Sequence, residues 1–382
     1  MEDKCQGASM ASDTAPQTTP LGAFGFNLCN WGKRIENKVY TLNPTPDLSM
    51  EDLVPFSPTA AERQQPLAVE YRRNAGYLAT ANLQDDPNRR GRSGSKWGVK
   101  EVNAVRAVPL LDLEPKRIIP ARYFPEDGNE DFSWLLKCIG AAKDDDLREF
   151  VASKFRGNPY QGFFKHLGEL STTNTSEESI IRSHKRKTSA SSATTELSTS
   201  SNEDSDEAVS TVTLVDFINH TLMNMDNYKE LNLPNRPGRR KPDISGSDRK
   251  SYLSVVSLEC KGRNAGGLKR EVAELLGAMF AQQQTPLPVK HQDQETFVLS
   301  MHGTLFYVSA AYFSPRYIAY IRDGSYSGEE TFLWVRQSIH FDLKKVEDRG
   351  EALRFVWGLV IYISSGSARV NIVSSAIHEA SS

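Results

Sequence analysis

The sequence predicts a mixed α/β fold, and three observations carry that reading. The second half of the chain has segments whose apolar residues recur at helical spacing. Short runs rich in Leu, Val and aromatic residues, as strands are, separate them. Their order is helix, strand, strand, helix, strand, which suits helices covering a central sheet.

The length of 382 residues allows two or three domains, or one domain with long flanks. Only 38% of residues are hydrophobic, which favours flanks that bury little. Residues 1–66, rich in Pro, Ser, Thr, Gln and Asp, read as a mostly disordered arm. Residues 67–170 form a partly helical region, interrupted by a charged Gly/Ser loop from Asp85 to Lys96. Phe132, Leu135, Leu136 and Ile139 mark a helix that opens at Asp131. A second is expected from Asp144 to about Phe155, with Asp144, Asp145 and Asp146 complementing the positive end of its dipole.

Residues 171–210 are Ser/Thr-rich and read as a linker, carrying one basic run, His184-Lys185-Arg186-Lys187. From 211 to 382 the chain reads as one folded unit. Leu214, Val215, Ile218, Leu222 and Met225 mark a helix, which Pro234, Pro237 and Gly238 separate from a short segment, Arg240 to Ile244. A strand is expected from Tyr252 to Cys260 and a helix from Leu268 to about Gln283, with Val272, Leu275, Leu276, Met279 and Phe280 on its apolar side. Strands from Thr296 to Met301 and from Thr304 to Tyr312 flank a hairpin turn at His302-Gly303. A third strand is expected from Arg316 to Arg322, and a closing helix from about Gly350 to Ser364.

The longest strongly apolar stretch, Phe355 to Ile363, is too short to cross a bilayer as a helix, so no membrane partner is expected. The amino-terminal residues lack the apolar core of a secretory signal, which points to an intracellular protein; the basic run at His184 to Lys187 reads as a nuclear address, a phosphate contact or a solvated charge cluster. Four cysteines, Cys5, Cys29, Cys138 and Cys260, and seven scattered histidines show neither finger nor HExxH spacing.

Chemistry concentrates at Pro242-Asp243 and Glu259-Cys260-Lys261. On a strand Glu259 and Lys261 project to one side, about 6.6 to 7 Å apart along the chain, and Leu258 and Cys260 to the other, into the core. Charges at the end of an apolar strand are tolerated when they pair or hold a metal. Asp243 and Glu259, with the Cys260 carbonyl as a further oxygen, suit a hard cation such as Mg2+ (or Mn2+), and Lys261 is the candidate for orienting a water or steadying developing charge. The simpler alternative is a surface pair of Glu259 and Lys261 on an edge strand, with Asp243 capping a turn.

This constellation resembles the PD-(D/E)XK nuclease superfamily, and within it the chain is similar to uncharacterised nuclease-like domain proteins of fungi. The resemblance covers about Val212 onward. It implies a restriction-endonuclease-like core, catalytic Asp243, Glu259 and Lys261, and metal-dependent hydrolysis of nucleic-acid phosphodiesters. The first core helix in that superfamily often adds a carboxylate, for which the choices here are Asp216, Asp226 and Glu230. The Gln-x-x-x-Tyr signature of some members is absent; Gln282 and Gln283 lie near the end of the second helix without a tyrosine at that spacing.

Net charge is −2, from 46 Lys and Arg against 48 Asp and Glu, which excludes a uniformly basic nucleic-acid coat. Residues 229–270 instead hold 11 Lys and Arg against 4 Asp and Glu, a local +7. Arg239, Arg240, Lys241, Arg263, Lys269 and Arg270 are the expected phosphate contacts, to DNA or RNA. Protein partners are the expected ligands of the N-terminal region and linker. The rival reading is a non-catalytic scaffold or nucleic-acid-binding protein on the same fold. No GxGxxG, Walker loop or GxSxG supports another α/β enzyme.

Overall fold

The computed structural model describes residues 58–78, 97–126, 128–172, 200–225, 256–261, 267–323 and 331–381. Its described helices are α1 (Ala60–Arg63), α2 (Pro66–Leu78), α3 (Val99–Ala104), α4 (Glu130–Ile139), α5 (Asp144–Arg148), α6 (Gln161–Thr172), α7 (Ser200–Met223), α8 (Gly267–Gln284), α9 (Pro315–Asp323), α10 (Val346–Ser364) and α11 (Asn371–Ser381). The strands are β1 (Ala107–Leu113), β2 (Ser257–Lys261), β3 (Gln294–His302), β4 (Leu305–Phe313), β5 (Leu333–Ser338) and β6 (Phe341–Asp342). The protein is thus α/β, with one mixed sheet in the order β1-β5-β4-β3-β2 and β6 paired to β4. β2 runs parallel to β3, and β1 parallel to β5; β4 is antiparallel to its three partners, β3, β5 and β6. No helix among the described residues is long and apolar enough to cross a membrane.

All nine residues of β3 are buried, as a central strand covered on both faces requires. Val298 faces α8, packing with Val272, Leu275, Leu276 and Met279 and with Ala311 and Val335 of neighbouring strands. Phe297, Leu299 and Met301 face the other way, into a cluster with Phe306, Val308, Leu353 and Val356. Each such side chain contributes about 1.5–3 kcal/mol by leaving water. The β3–β4 connection is Gly303-Thr304, and Gly303 takes φ +58°, which glycine adopts without a Cβ clash.

The stretches expected as separate units share this sheet. β1 comes from the 67–170 stretch and pairs with β5, and one core cluster runs from Ala68 to Val373. Residues 58–65, expected in the arm, begin this ordered part: Thr59 and Glu62 form a capping box on α1, and Glu62 grips Arg117 through two 2.8 Å bonds. Gln65 then lies beside β1, where its amide donates to the Leu111 carbonyl and accepts from the Leu111 N–H, both at 3.1 Å. The linker's C-terminal end is helical, since α7 starts at Ser200. The rest of the linker, its basic run, the Asp85–Lys96 loop and the Arg240–Ile244 segment lie outside the described residues.

The expected strand at Arg316–Arg322 is a helix. Pro315 supplies a preset first-turn φ, the Ser314 hydroxyl accepts from the Tyr317 N–H at 3.2 Å, and Tyr317 and Tyr320, one turn apart, donate to the carbonyls of Val105 and Ala104. Aromatic and branched residues that suggest a strand are here three apart, so one helix face buries them. The helix expected at 144–155 ends at Arg148 and gives way to a 3-10 turn at Ala152–Phe155. Asp146 caps it as expected, accepting from the Lys143 N–H at 3.0 Å. On α7 the expected stripe is buried at Leu214, and just past the helix at Met225, with Ile218 and Leu222 packed at its edge, and the buried face adds Ser210, Thr213, Phe217 and Thr221. The threonines sit there because their hydroxyls bond the carbonyls one turn back, Thr213 to Val209 at 2.7 Å and Thr221 to Phe217 at 2.8 Å.

Candidate functional site

β2, α8 and β3 form a strand–helix–strand unit with parallel strands, and the register aligns Glu259 with Ser300 and Lys261 with His302. Ser300 in turn pairs with Tyr307 on β4, and Ser309 with Gln337 on β5. Period-2 alternation therefore lines one face, at one end of the sheet, with Glu259, Ser300, His302, Tyr307, Ser309 and Gln337. α8 covers this face and brings two charged residues of its own, Arg270 and Glu271.

Glu259 is buried, and the Arg270 Nε lies 2.9 Å from its Oε1. Arg270 also reaches toward Glu207 of α7, at 3.9 Å, so one guanidinium bridges two carboxylates from different elements. Glu271 is fully buried and accepts three hydrogen bonds: from the Tyr307 hydroxyl, from Ser309 at 2.8 Å, and from Gln337 at 3.2 Å. Tyr307 also lies 3.1 Å from His302 Nε2. Burial, then the charge of Glu271 and more weakly that of Glu259, push the Tyr307 hydroxyl far above the ordinary phenol range, so it stays protonated. Two carboxylates thus act on one buried phenol.

Of the residues expected in the site, the structure places Glu259 on the charged face. Lys261 closes β2 on the same register, and its side chain lies outside the described residues. Asp243, Arg239, Arg240, Lys241 and Arg263 lie outside the described residues as well, as do Asp226 and Glu230. Lys269 and Arg270 are both half-buried in the first turn of α8. Arg270, expected as a phosphate contact, is engaged with Glu259. Asp216 stands 3.8 Å from His166 on α6. It lies nine residues beyond Glu207, about 13.5 Å along the helix axis. Glu207 is the α7 carboxylate beside Arg270, in a stretch expected to be linker. Gln282 accepts from the Ile372 N–H, and Gln283 donates to Gln294 at the far end of β3, so both serve packing there.

Cys260 is on the opposite face and buried, as expected; Leu258, expected to be buried with it, is 41% exposed. Leu258 is on the outermost strand of the described sheet, and α7 reaches Cys260, where Thr211 bonds the thiol. Burial pushes that thiol up to about 12, so its sulfur stays protonated and is a poor ligand. The donors facing α8 are carboxylate, hydroxyl and amide oxygens together with the His302 imidazole, and the oxygens suit a hard cation. Among the described residues no group of three or more His, Cys, Asp or Glu is placed to hold a metal, and a cation at Glu259 would compete with Arg270.

Glu271, Tyr307, Ser309, Gln337 and Glu207 were not singled out from sequence, and His302 was read only as a turn residue, whereas it closes β3 and the turn is Gly303-Thr304. The available signal was an acid, Glu271, inside the apolar stripe of a helix, and polar residues at alternating positions of two otherwise apolar strands. Comparison with known family models, curated proteins and solved structures gives no match to this chain.

Proposed function

We propose that the protein is a PD-(D/E)XK-like nuclease that hydrolyses nucleic-acid phosphodiester bonds with the help of a divalent cation, Mg2+ or Mn2+, on a restriction-endonuclease-like core. The observation that carries this reading is Glu259, a buried carboxylate on the strand of a strand–helix–strand unit, with charged groups from the preceding helix (Glu207) and the following helix (Arg270) converging on it. A fold tolerates such a centre where the charges pair, bind a ligand or do chemistry. Asp243, Glu259 and the Cys260 carbonyl would hold the cation. When bound, the cation polarises the phosphodiester and acidifies a water. Lys261 steadies the negative charge that develops on the phosphate, and Lys269 and the other basic residues of 229–270 hold the nucleic-acid backbone.

The test is cleavage of single-stranded, duplex and branched DNA and of RNA, with Mg2+ or Mn2+, by the full chain. Wild type cuts, and Lys261→Ala and Glu259→Gln each lose at least about a hundredfold in rate. Equal cutting by Lys261→Ala refutes the assignment of the site.

One observation favours a second reading. Glu259 already has a cation partner in Arg270, as in a centre kept for structure. On that reading the protein is a non-catalytic nucleic-acid-binding scaffold, and salt-sensitive binding without any effect of divalent cations distinguishes it.

A further inference from the structure

α11 is docked chiefly by polar contacts. Among its described residues Val373 is the apolar side chain that is fully buried, with Ile372 and Ile377 at the edge of the core, whereas α10 buries Leu353, Phe355, Val356 and Leu359. Side chains of α11 instead hold residues 289–291, just before β3. Asn371 accepts from the His291 N–H at 2.9 Å, and Ser375 both accepts from the Val289 N–H at 3.1 Å and donates to the Val289 carbonyl at 2.9 Å. The Ser374 hydroxyl lies 2.8 Å from His291 Nε2. A helix held this way opens at lower cost than one held by an apolar face.

His291 is buried in this strip, between two charged groups: Arg369, on the segment that joins α10 to α11, and Asp293, two residues along its own chain. Asp293 is already engaged, accepting from Tyr312 of β4 at 2.8 Å and standing 3.7 Å from the Arg369 Nε. Among the described residues the Nε and Nη2 groups of Arg369 have no hydrogen-bond acceptor. Glu295, next on the same side of the chain, meets Arg336 and Tyr362. From α8, Gln282 and Gln283 are neutral, and Lys290 donates to the Gln283 carbonyl. On α11, His378 lies one turn beyond Ser374 and is exposed. A neutral imidazole suits this strip, since the Ser374 hydroxyl can donate to Nε2 or accept from it. An imidazolium adds a second positive charge beside Arg369, out of water, with one shared carboxylate to answer both.

We propose that α11 is an acid-released latch: protonation of His291 favours the state in which α11 has left residues 289–291, whose backbone groups then pass to water. Burial, then the charge of Arg369, hold the His291 imidazole below its ordinary value, with Asp293 opposing them. The docked state therefore binds this proton less tightly than the undocked state. The contribution of His291 to docking is full above the ordinary histidine range and is lost as pH falls through the lowered docked value. The latch does not depend on nuclease activity.

The test is amide hydrogen exchange of the full chain, with rates corrected for the intrinsic effect of pH. From about pH 7.5 down to about pH 5.5 the opening constant of the α11 amides rises about threefold or more, while those of Phe297 to Leu299 in β3 do not rise. His291→Gln, which keeps a hydrogen-bonding side chain but cannot titrate, removes the rise. A pH-independent α11 overturns the proposal, and so does a rise that survives in His291→Gln or one that β3 shares. His378→Gln keeps the rise; its loss there assigns the titration to the exposed histidine and refutes the role of His291. Should His291→Gln fail to fold, the imidazole of His291 is titrated directly in wild type labelled with 15N-histidine. It titrates below the ordinary histidine range, and an ordinary or raised value overturns the proposal.

Discussion

Two buried polar centres occupy opposite ends and opposite faces of the sheet. Glu295 and His302, both on β3, are seven residues and so about 23 Å apart. At the first centre Glu295 meets Arg336 at 3.5 Å and accepts from Tyr362 at 2.5 Å, and Asp293 accepts from Tyr312 at 2.8 Å beside Arg369. Its cations are sealed, at 2% exposure, and Arg336 also donates through Nη1 to the carbonyls of Arg117 and Ile118. At the second, neutral donors hold Glu271, and the cation beside Glu259 is 28% exposed and leans toward a still more open Glu207. A closed set of paired charges ties strand to loop. A set whose described cation, Arg270, reaches solvent can exchange partners, and that difference supports the proposed placing of the chemistry at the Glu259 end.

The comparison breaks most visibly at Arg336. Arg336→Met strands Glu295 without its cation and costs about 3–5 kcal/mol in denaturant unfolding, and adding Glu295→Gln to it returns part of the loss. The same pair predicts a pH effect. Burial, outweighing Arg336 and Tyr362, raises Glu295 above its ordinary value. The folded state therefore holds this proton more tightly than the unfolded state does. Its contribution to stability is full below the ordinary carboxylate range and is lost as pH rises through the raised folded value. Unfolding curves collected across that range lose this component in Glu295→Gln. A slope that survives the substitution assigns the titration elsewhere.

Glu271→Gln is the next largest effect, about 1–3 kcal/mol, because a buried carboxylate with three donors becomes an amide that must turn an N–H toward one of them. Equilibrium unfolding measures it, and a neutral result shows that Glu271 is not the acceptor of all three. Arg270→Gln is the smallest, under about 1 kcal/mol for a partly exposed pair. Its signature is binding: relieved of a competing charge, Glu259 takes Mn2+ a few-fold more tightly by calorimetry. Weaker binding in Arg270→Gln removes the competition and makes the two centres alike.

Periodicity located β2, α8, β3 and β4 because both of their faces, or one clean stripe, are apolar. It missed β1 and β5, where Asp112, Arg336 and Gln337 interrupt the pattern; Asp112 sits at a bulge with φ +56°, and Arg336 and Gln337 are buried by partners from other elements. α11 was missed for a related reason. Its buried side mixes Val373 with two polar residues that interrupt the apolar pattern, Asn371 bonding the His291 N–H at 2.9 Å and Ser375 the Val289 N–H at 3.1 Å. At the site, Glu259 was legible as a charge inside an apolar run. Glu271 was not, since what makes it notable is Tyr307 and Gln337, 36 and 66 residues further along the chain. Local pattern reads faces, and it does not read which distant strand a face will meet.

Gln65 has a consequence for the chain's dealings with other copies of itself. Where β1 bulges away from β5, Leu111 would offer a donor and an acceptor to any extended segment that came alongside. The Gln65 amide has the same donor–acceptor spacing as a peptide group and fills that place with one side chain. β1 is thereby blunted as a template for strand addition, and the protection against aggregation depends on a single glutamine just before α2.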